Sequence, residues 1–420
     1  MKQFVLIDSV VDSKDNLTTK EKGLMGGRGS NTLHPDDAYA VEEAVRLKTK
    51  HGGKVTALFL AEDATEYPIP KVRDLGVDET VWLKKETWHE DVFTTASMLS
   101  EYLKEEEADL ILTGSDVWGT MIAELLEIPS VTRVLDMDIR RGDAFLKRKI
   151  EEEEEWMKTS FPLLITPPPQ VGEAESTSIK RLKTAVQNTE VKLDHRLKGE
   201  HSVRRDAGGV SRASYGSDQT LQNILIVGEI QKNQREQCSC EAIAAAEKMV
   251  GDGEVTAVLM GEDVHAFSKE MMAYGADGVL EINHPLLENG TPDSYAQALF
   301  KVLDDYSFDG IVFPDSPFGR ELAARAAVRM RSEPMTGVTD IERLDDGVEF
   351  TILSSQRKSK EEKVNGEALG VFTIQSGCFT PGIKEEQKGW KRLVKMEIED
   401  LRMERVDVTD LSFEYERAGV

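Results

Sequence analysis

The feature that most constrains this chain is that it carries the same ordered set of segments twice. Gly53 to Asp63, GKVTALFLAED, returns from Gly253 to Asp263 as GEVTAVLMGED. Leu75 to Asp78 (LGVD) is answered by Tyr274 to Asp277 (YGAD), and Ala108 to Asp116 (ADLILTGSD) by Phe308 to Ser316 (FDGIVFPDS). Gly119 followed by Ala123–Leu126 pairs with Gly319 to Ala324, and Pro129–Thr132 with Met335–Thr339. Matches in one order along both halves mark a duplication, so the fold must be two versions of one domain.

Each copy alternates short apolar runs with longer amphipathic ones. Val5–Ile7, Val55–Leu60, Thr80–Leu83 and Leu110–Thr113 are continuous Val/Leu/Ile-rich runs, as expected of strands buried on both faces. Between them, 36–48, 91–103 and 119–126 read as helices, the first preceded by Pro35 as a start signal. The second copy repeats the plan, with strands at 223–227, 255–260 and 311–313 and helices at 241–249, 294–304 and 320–330. Strand–helix alternation at this spacing predicts right-handed βαβ units. The fold class is α/β: two homologous doubly wound parallel-sheet domains in tandem, Rossmann-like and of the adenine nucleotide alpha hydrolase-like layout. The expected division is a first domain over 1–191, a Gly- and Ser-containing linker over 192–220, a second domain over 221–382 and a charged tail over 383–420.

Composition narrows the function. Asp and Glu number 77 against 52 Lys and Arg, a formal net charge of −25 that repels nucleic acid and anionic lipid. No apolar stretch approaches a membrane span, no signal peptide opens the chain, and three cysteines are too few for a disulfide framework. The expected location is the cytoplasm. Cys238 and Cys240 read as structural residues at a helix start, with no metal site; Gly26–Ser30 reads as a loop, and Glu151–Glu155 as a solvated hairpin edge. No order of Ser, His and Asp suggests a hydrolase.

Two segments carry a resemblance. His34 to Lys48, HPDDAYAVEEAVRLK, is similar to the signature helix of electron transfer flavoprotein β-subunits, with His34 where the family has Asn. Ser316 to Arg325, SPFGRELAAR, continued by Met335–Asp340, resembles the N-terminal domain of the α-subunit of that family. The resemblance spans Met1–Val191 (β-like) and Leu221–Pro381 (α-like). It implies a fused electron-transfer component that is not itself an enzyme, with AMP or FAD in the β-like site. It also implies an FAD domain after Pro381. Only Gly382–Val420 follow, so the expectation is that this domain is absent from the chain and that a separate subunit supplies the redox FAD.

The resemblance places the adenine side of the nucleotide site at Leu6, Ile7, Asp8 and Ser9 and at Leu60 and Ala61. It places the phosphate loop at Gly114, Ser115, Asp116, Trp118, Gly119 and Thr120. The position agrees with the general rule that open α/β sheets bind ligands beyond the carboxyl ends of their strands, where helix N-termini offer N–H groups. The loop is shorter than the family's and lacks its Thr-Gly-Gln ending, and Asp8 would repel a phosphate. His34 reads as a helix-start residue. Docking of a flavin-dependent dehydrogenase or a separate FAD-domain subunit is expected at Ser178, Ile179 and Leu182. Two other functions stay open: a non-redox adaptor that has lost its cofactors, and an ATP-binding regulator of the stress-protein type.

Overall fold

The computed structural model describes residues 1–7, 9–11, 31–61, 69–84, 92–150, 153–168, 191–194, 221–231, 234–235, 237–250, 252–288, 290–344, 347–353, 361–366, 370–384, 389–398 and 403–406. The chain divides into two units, Met1–Arg204 and Arg205–Val420. That division falls inside the segment expected to be a linker.

The first unit opens with β1 (Lys2–Ile7), a short ribbon β2 (Ser9–Val11) and β3 (Asn31–Leu33), then α1 (Pro35–His51). It continues through β4 (Lys54–Ala61), α2 (Ile69–Asp74), β5 (Glu79–Lys84), α3 (Val92–Glu105), β6 (Leu110–Thr113) and α4 (Asp116–Leu125). A short β7 (Ser130–Val131) leads into an antiparallel meander of β8 (Val134–Arg140), β9 (Asp143–Ile150) and β10 (Glu153–Ser160). The chain then returns as β11 (Leu163–Ile165) and, later, β12 (Val191–Asp194). The main sheet is wholly parallel in the order β12-β5-β4-β1-β6-β11-β7. β1 is buried from Gln3 to Ile7, as its two-faced apolar run predicts.

The second unit has β13 (Asn223–Gly228), a ribbon of β14 (Ile230–Gln231) and β15 (Gln234–Arg235), α5 (Gln237–Val250), β16 (Glu254–Gly261), α6 (His265–Ala273) and β17 (Gly278–Asn283). α7 (Pro292–Asp305), β18 (Gly310–Pro314) and α8 (Pro317–Met330) follow. The long β19 (Pro334–Leu344) then leads to β20 (Gly347–Leu353), β21 (Glu361–Gly366), β22 (Gly370–Ile374) and the edge strand β23 (Trp390–Leu393). Its sheet runs β21-β20-β19-β22-β18-β13-β16-β17-β23. From β19 to β23 this is the first unit's order, strand for strand, and β19–β21 repeat the meander. The edge strands β12 and β23 lie in the segments read as linker and tail. Single-strand periodicity does not register them because each is only four residues long.

The repeated Gly and Asp positions hold the amino ends of the strands together. Val55 N–H donates to Asp78 Oδ2 (2.8 Å) and Asp78 N–H to the Val55 carbonyl (2.9 Å); Val255 and Asp277 exchange the same pair at 2.9 and 2.8 Å. Likewise Lys2 N–H donates to Asp109 Oδ2 at 2.7 Å, and Asn223 N–H to Asp309 Oδ2 at 2.9 Å. A carboxylate that accepts a neighbouring strand's terminal N–H satisfies a donor that the ladder leaves over.

Three details depart from the sequence reading. α4 and α8 begin three residues earlier than expected, because Ser115 and Ser316 are their N-caps. The register also pairs Ser130 with Leu164 and Pro334 with Val371, which sets Val131 against Met335 rather than opposite the later Val338. Finally, Glu155 is not a solvated hairpin edge: on β10 it faces Arg148 of β9, whose side chain is 1% exposed, in a cross-strand ion pair.

Gln3 is fully buried on β1, and neither Oε1 nor Nε2 meets a hydrogen-bond partner. The equivalent strand position in the second unit is Ile224, also fully buried. An unpaired buried amide costs roughly 1 to 3 kcal/mol. Gln3→Ile is therefore expected to raise the thermal midpoint by several degrees, and an unchanged or lower midpoint in a calorimetric scan would contradict this.

Candidate functional site

The candidate site of the first unit lies where β1, β4 and β6 end and α1 and α4 begin. Leu6 and Ile7 are core residues, 1% and 2% exposed, so only their backbone could border a ligand. Asp8 lies outside the described residues. Ser9 starts β2 opposite Leu33, and Leu60 and Ala61 close β4 opposite Leu83 and Lys84. The β2–β3 ribbon delivers the chain to His34, whose Nδ1 accepts the Asp36 N–H at 3.3 Å. His34 is thus the N-cap of α1, the helix-start role expected of it.

Of the phosphate-loop candidates, Gly114 is brought against α1, and Ser115 and Asp116 have their side chains engaged. Gly114 N–H donates to Asp37 Oδ1 at 3.2 Å, and Asp37 is 3% exposed. A Cβ on Gly114 would lie 2.6 Å from that oxygen, so the missing side chain makes room for α1. Ser115 Oγ accepts the Trp118 N–H at 3.3 Å, and Trp118 is half-buried. Asp116, in the first turn of α4, receives Thr166 Oγ1 on Oδ1 and Arg133 Nε on Oδ2 at 3.3 Å. Gly119 and Thr120 lie inside the fold rather than on the crevice wall. A Cβ on Gly119 would sit 2.7 Å from Thr113 Cγ2 and 2.9 Å from Leu164 Cδ2, and Thr120 is fully buried. Gly119 therefore serves close helix–sheet packing, not the approach of an anion.

Sequence reasoning missed Asp37, Arg133 and Thr166. The second unit shows that Arg133 and Thr166 belong to a repeated device. Thr373 Oγ1 donates to Asp315 Oδ1 at 2.6 Å and accepts the Gly337 N–H at 2.9 Å; Thr166 likewise serves Asp116 and accepts the Arg133 N–H at 3.2 Å. Arg133 and Gly337 both have positive φ, 57° and 71°, where the chain turns out of the parallel sheet into the meander. Each aspartate also has a guanidinium: Arg133 at 3.3 Å, and Arg320 at 3.8 Å from Asp315. The signal was a threonine at one register position of β11 and β22, visible only once those strands are aligned.

In the second unit the equivalent crevice is closed. Phe318, in the first turn of α8, packs edge-on against Tyr295 of α7, with ring centroids 4.9 Å apart at 87°. Glu229, 5% exposed, accepts from Ser316 Oγ at 2.8 Å. The space left among Gly228, Glu229, Met260, Tyr295 and Phe318 is about 10 Å³, room for a single water.

Ser178, Ile179 and Leu182 lie outside the described residues. Cys238 and Cys240 sit at the start of α5 as free thiols, Cys240 buried. Among the described residues no cluster of His, Cys, Asp or Glu could hold a metal ion, and no helix is long and apolar enough to cross a membrane.

Two doubly wound sheets in tandem, each with helix starts gathered at the carboxyl ends of its strands, define a protein of the Rossmann-like α/β class. The electron transfer flavoprotein domain model matches residues 27–192 and 224–401, and the chain belongs to that family. The first half is 30% identical over 194 residues to the electron transfer flavoprotein subunit beta of Bacillus subtilis, covering 44% of this chain and 76% of the relative. The subunit alpha of the same organism is 28% identical over 180 residues, 43% of this chain and 55% of the relative, so the chain spans about half the length of that subunit. The caffeyl-CoA reductase-Etf complex subunit CarD of Acetobacterium woodii is 27% identical over 177 residues, 40% of this chain and 68% of the relative.

Proposed function

We propose that this chain is a fused β/α electron-transfer component that holds an adenine nucleotide, AMP or FAD, only in its first unit. It docks a flavin-dependent dehydrogenase, and its redox FAD is carried by a separate subunit. The observation that carries the reading is the asymmetry of the two crevices. Phe318 closes the second one against Tyr295, whereas Trp118, its counterpart in the aligned Gly119 and Gly319 blocks, packs on no aromatic ring among the described residues. On this reading the ligand lies in the first crevice, beside the N-termini of α1 and α4. Relatives named as subunits of reductase complexes support the partner class.

A second reading, an adaptor without cofactor, is favoured by the internal use of the loop's polar groups. Asp37 takes the Gly114 N–H that a phosphate would need, and Asp36, Asp37 and Asp116 already answer the two helix dipoles. The absorbance spectrum of the purified protein, with mass spectrometry of what heat releases, separates the two. AMP without flavin is the expected outcome. Stoichiometric FAD would remove the separate-subunit clause, and an empty protein would establish the adaptor.

A further inference from the structure

The amino end of the second sheet, opposite its closed crevice, carries an open groove of about 400 Å³ lined by Asn223, Glu254, Thr256, Tyr306, Phe308, Trp390 and Arg392. That volume is within the range of ordinary ligand sites. Its walls are pre-arranged. The Trp390 indole lies over Gly278 of β17, where a Cβ would meet it at 2.3 Å, and its Nε1–H donates to Glu254 Oε1 at 2.9 Å. Trp390 is nevertheless 40% exposed. Opposite stand Tyr306 and Phe308, with ring centroids 6.5 Å apart. Two positions after Trp390, on the same face of β23, Arg392 donates to the Tyr306 hydroxyl at 3.1 Å, and its guanidinium carbon lies 5.9 Å from that ring.

The first unit treats the same corner differently. Where the second unit has Asn223, Glu254 and Tyr306, the first has Lys2, Lys54 and Glu106, and the corner closes on itself. Lys2 Nζ reaches the Glu106 carbonyl at 3.1 Å and Glu107 at 3.7 Å, and Lys54 pairs with Glu79. In the second unit, Arg392 forms no ion pair among the described residues, although acids outnumber bases 77 to 52 in the chain. The groove's one carboxylate, Glu254, is taken by the Trp390 indole, so Arg392, held on Tyr306 outside any ion pair among the described residues, is the group that an incoming anion meets.

We propose that this groove docks a segment of a partner protein in which an aromatic side chain is flanked by Asp or Glu, the ring entering between Trp390 and Tyr306–Phe308 and the carboxylate meeting Arg392. Arginine's planar fork suits a carboxylate, and the rings offer apolar area at little entropic cost. The proposal is independent of whether the first unit holds a nucleotide.

The test is fluorescence anisotropy of a labelled Gly/Ser-framed peptide carrying Asp-Phe-Glu, titrated with the full chain. Saturable binding is expected, weakened about tenfold or more by Arg392→Gln. That variant replaces an exposed residue, and circular dichroism confirms that it folds. A peptide with Lys in place of both acids should not bind, and one with Ala in place of Phe should bind about tenfold more weakly. Failure of the native chain to bind, equal binding by Arg392→Gln, or equal binding of the Ala peptide would each overturn the proposal. The last outcome would show charge attraction alone.

Discussion

Glu155→Ala is expected to destabilise the first unit's meander by about 3 to 5 kcal/mol, because it removes the carboxylate that the buried Arg148 guanidinium faces across β9 and β10. The cost comes from weakening the compensation of a buried charge more than from the strength of the pair itself. The double variant Arg148→Met, Glu155→Leu should therefore recover most of the loss, since replacing a buried pair with apolar groups is often neutral. Hydrogen exchange of residues 134–160, followed by mass spectrometry, reports the meander directly. Unchanged protection in Glu155→Ala would mean that water reaches Arg148 and the pair is dispensable.

The second large effect concerns the repeated glycines. A Cβ on Gly253 would lie 2.3 Å from the Gln222 carbonyl oxygen, the same oxygen that accepts the Glu254 N–H at 2.6 Å. Gly53 repeats the arrangement, 2.2 Å from the Met1 oxygen, with φ of 112°. Gly253→Ala must push backbone apart where β13 and β16 meet, at about 2 to 3 kcal/mol. Gly382→Ala is the control, since a Cβ there meets nothing within 4 Å. Urea midpoints should fall for the first and stay put for the second. Equal midpoints would mean that the turn before β16 relaxes freely.

These two predictions also separate what was readable from what was not. Gly53 and Gly253 stand out in the sequence because they recur, yet their reason lies in a carbonyl delivered by a different strand. The run Glu151–Glu155 reads as a solvated edge, and nothing in the local pattern ties Glu155 to Arg148. Their pairing follows from the β9–β10 register, which places the two residues opposite each other on the face that becomes buried. The candidate site behaved in the same way. His34 was legible as a helix start because capping is local, whereas Ser115, read as a phosphate-loop residue, is the N-cap of α4. Asp37 on Gly114, 77 residues away, was not legible.

The sequence by itself determined that there are two α/β domains, that their central strands are parallel and buried, and which helices flank each crevice. Those properties follow from periodicity, repetition and local capping, which are written in neighbouring residues. Only the tertiary structure decided which crevice is closed, which carboxylate takes the Gly114 N–H, and that Arg392 lies on the Tyr306 ring rather than in an ion pair among the described residues. Each of these depends on side chains from distant segments meeting at one point, and the register and packing of the sheets set those meetings, not the local pattern.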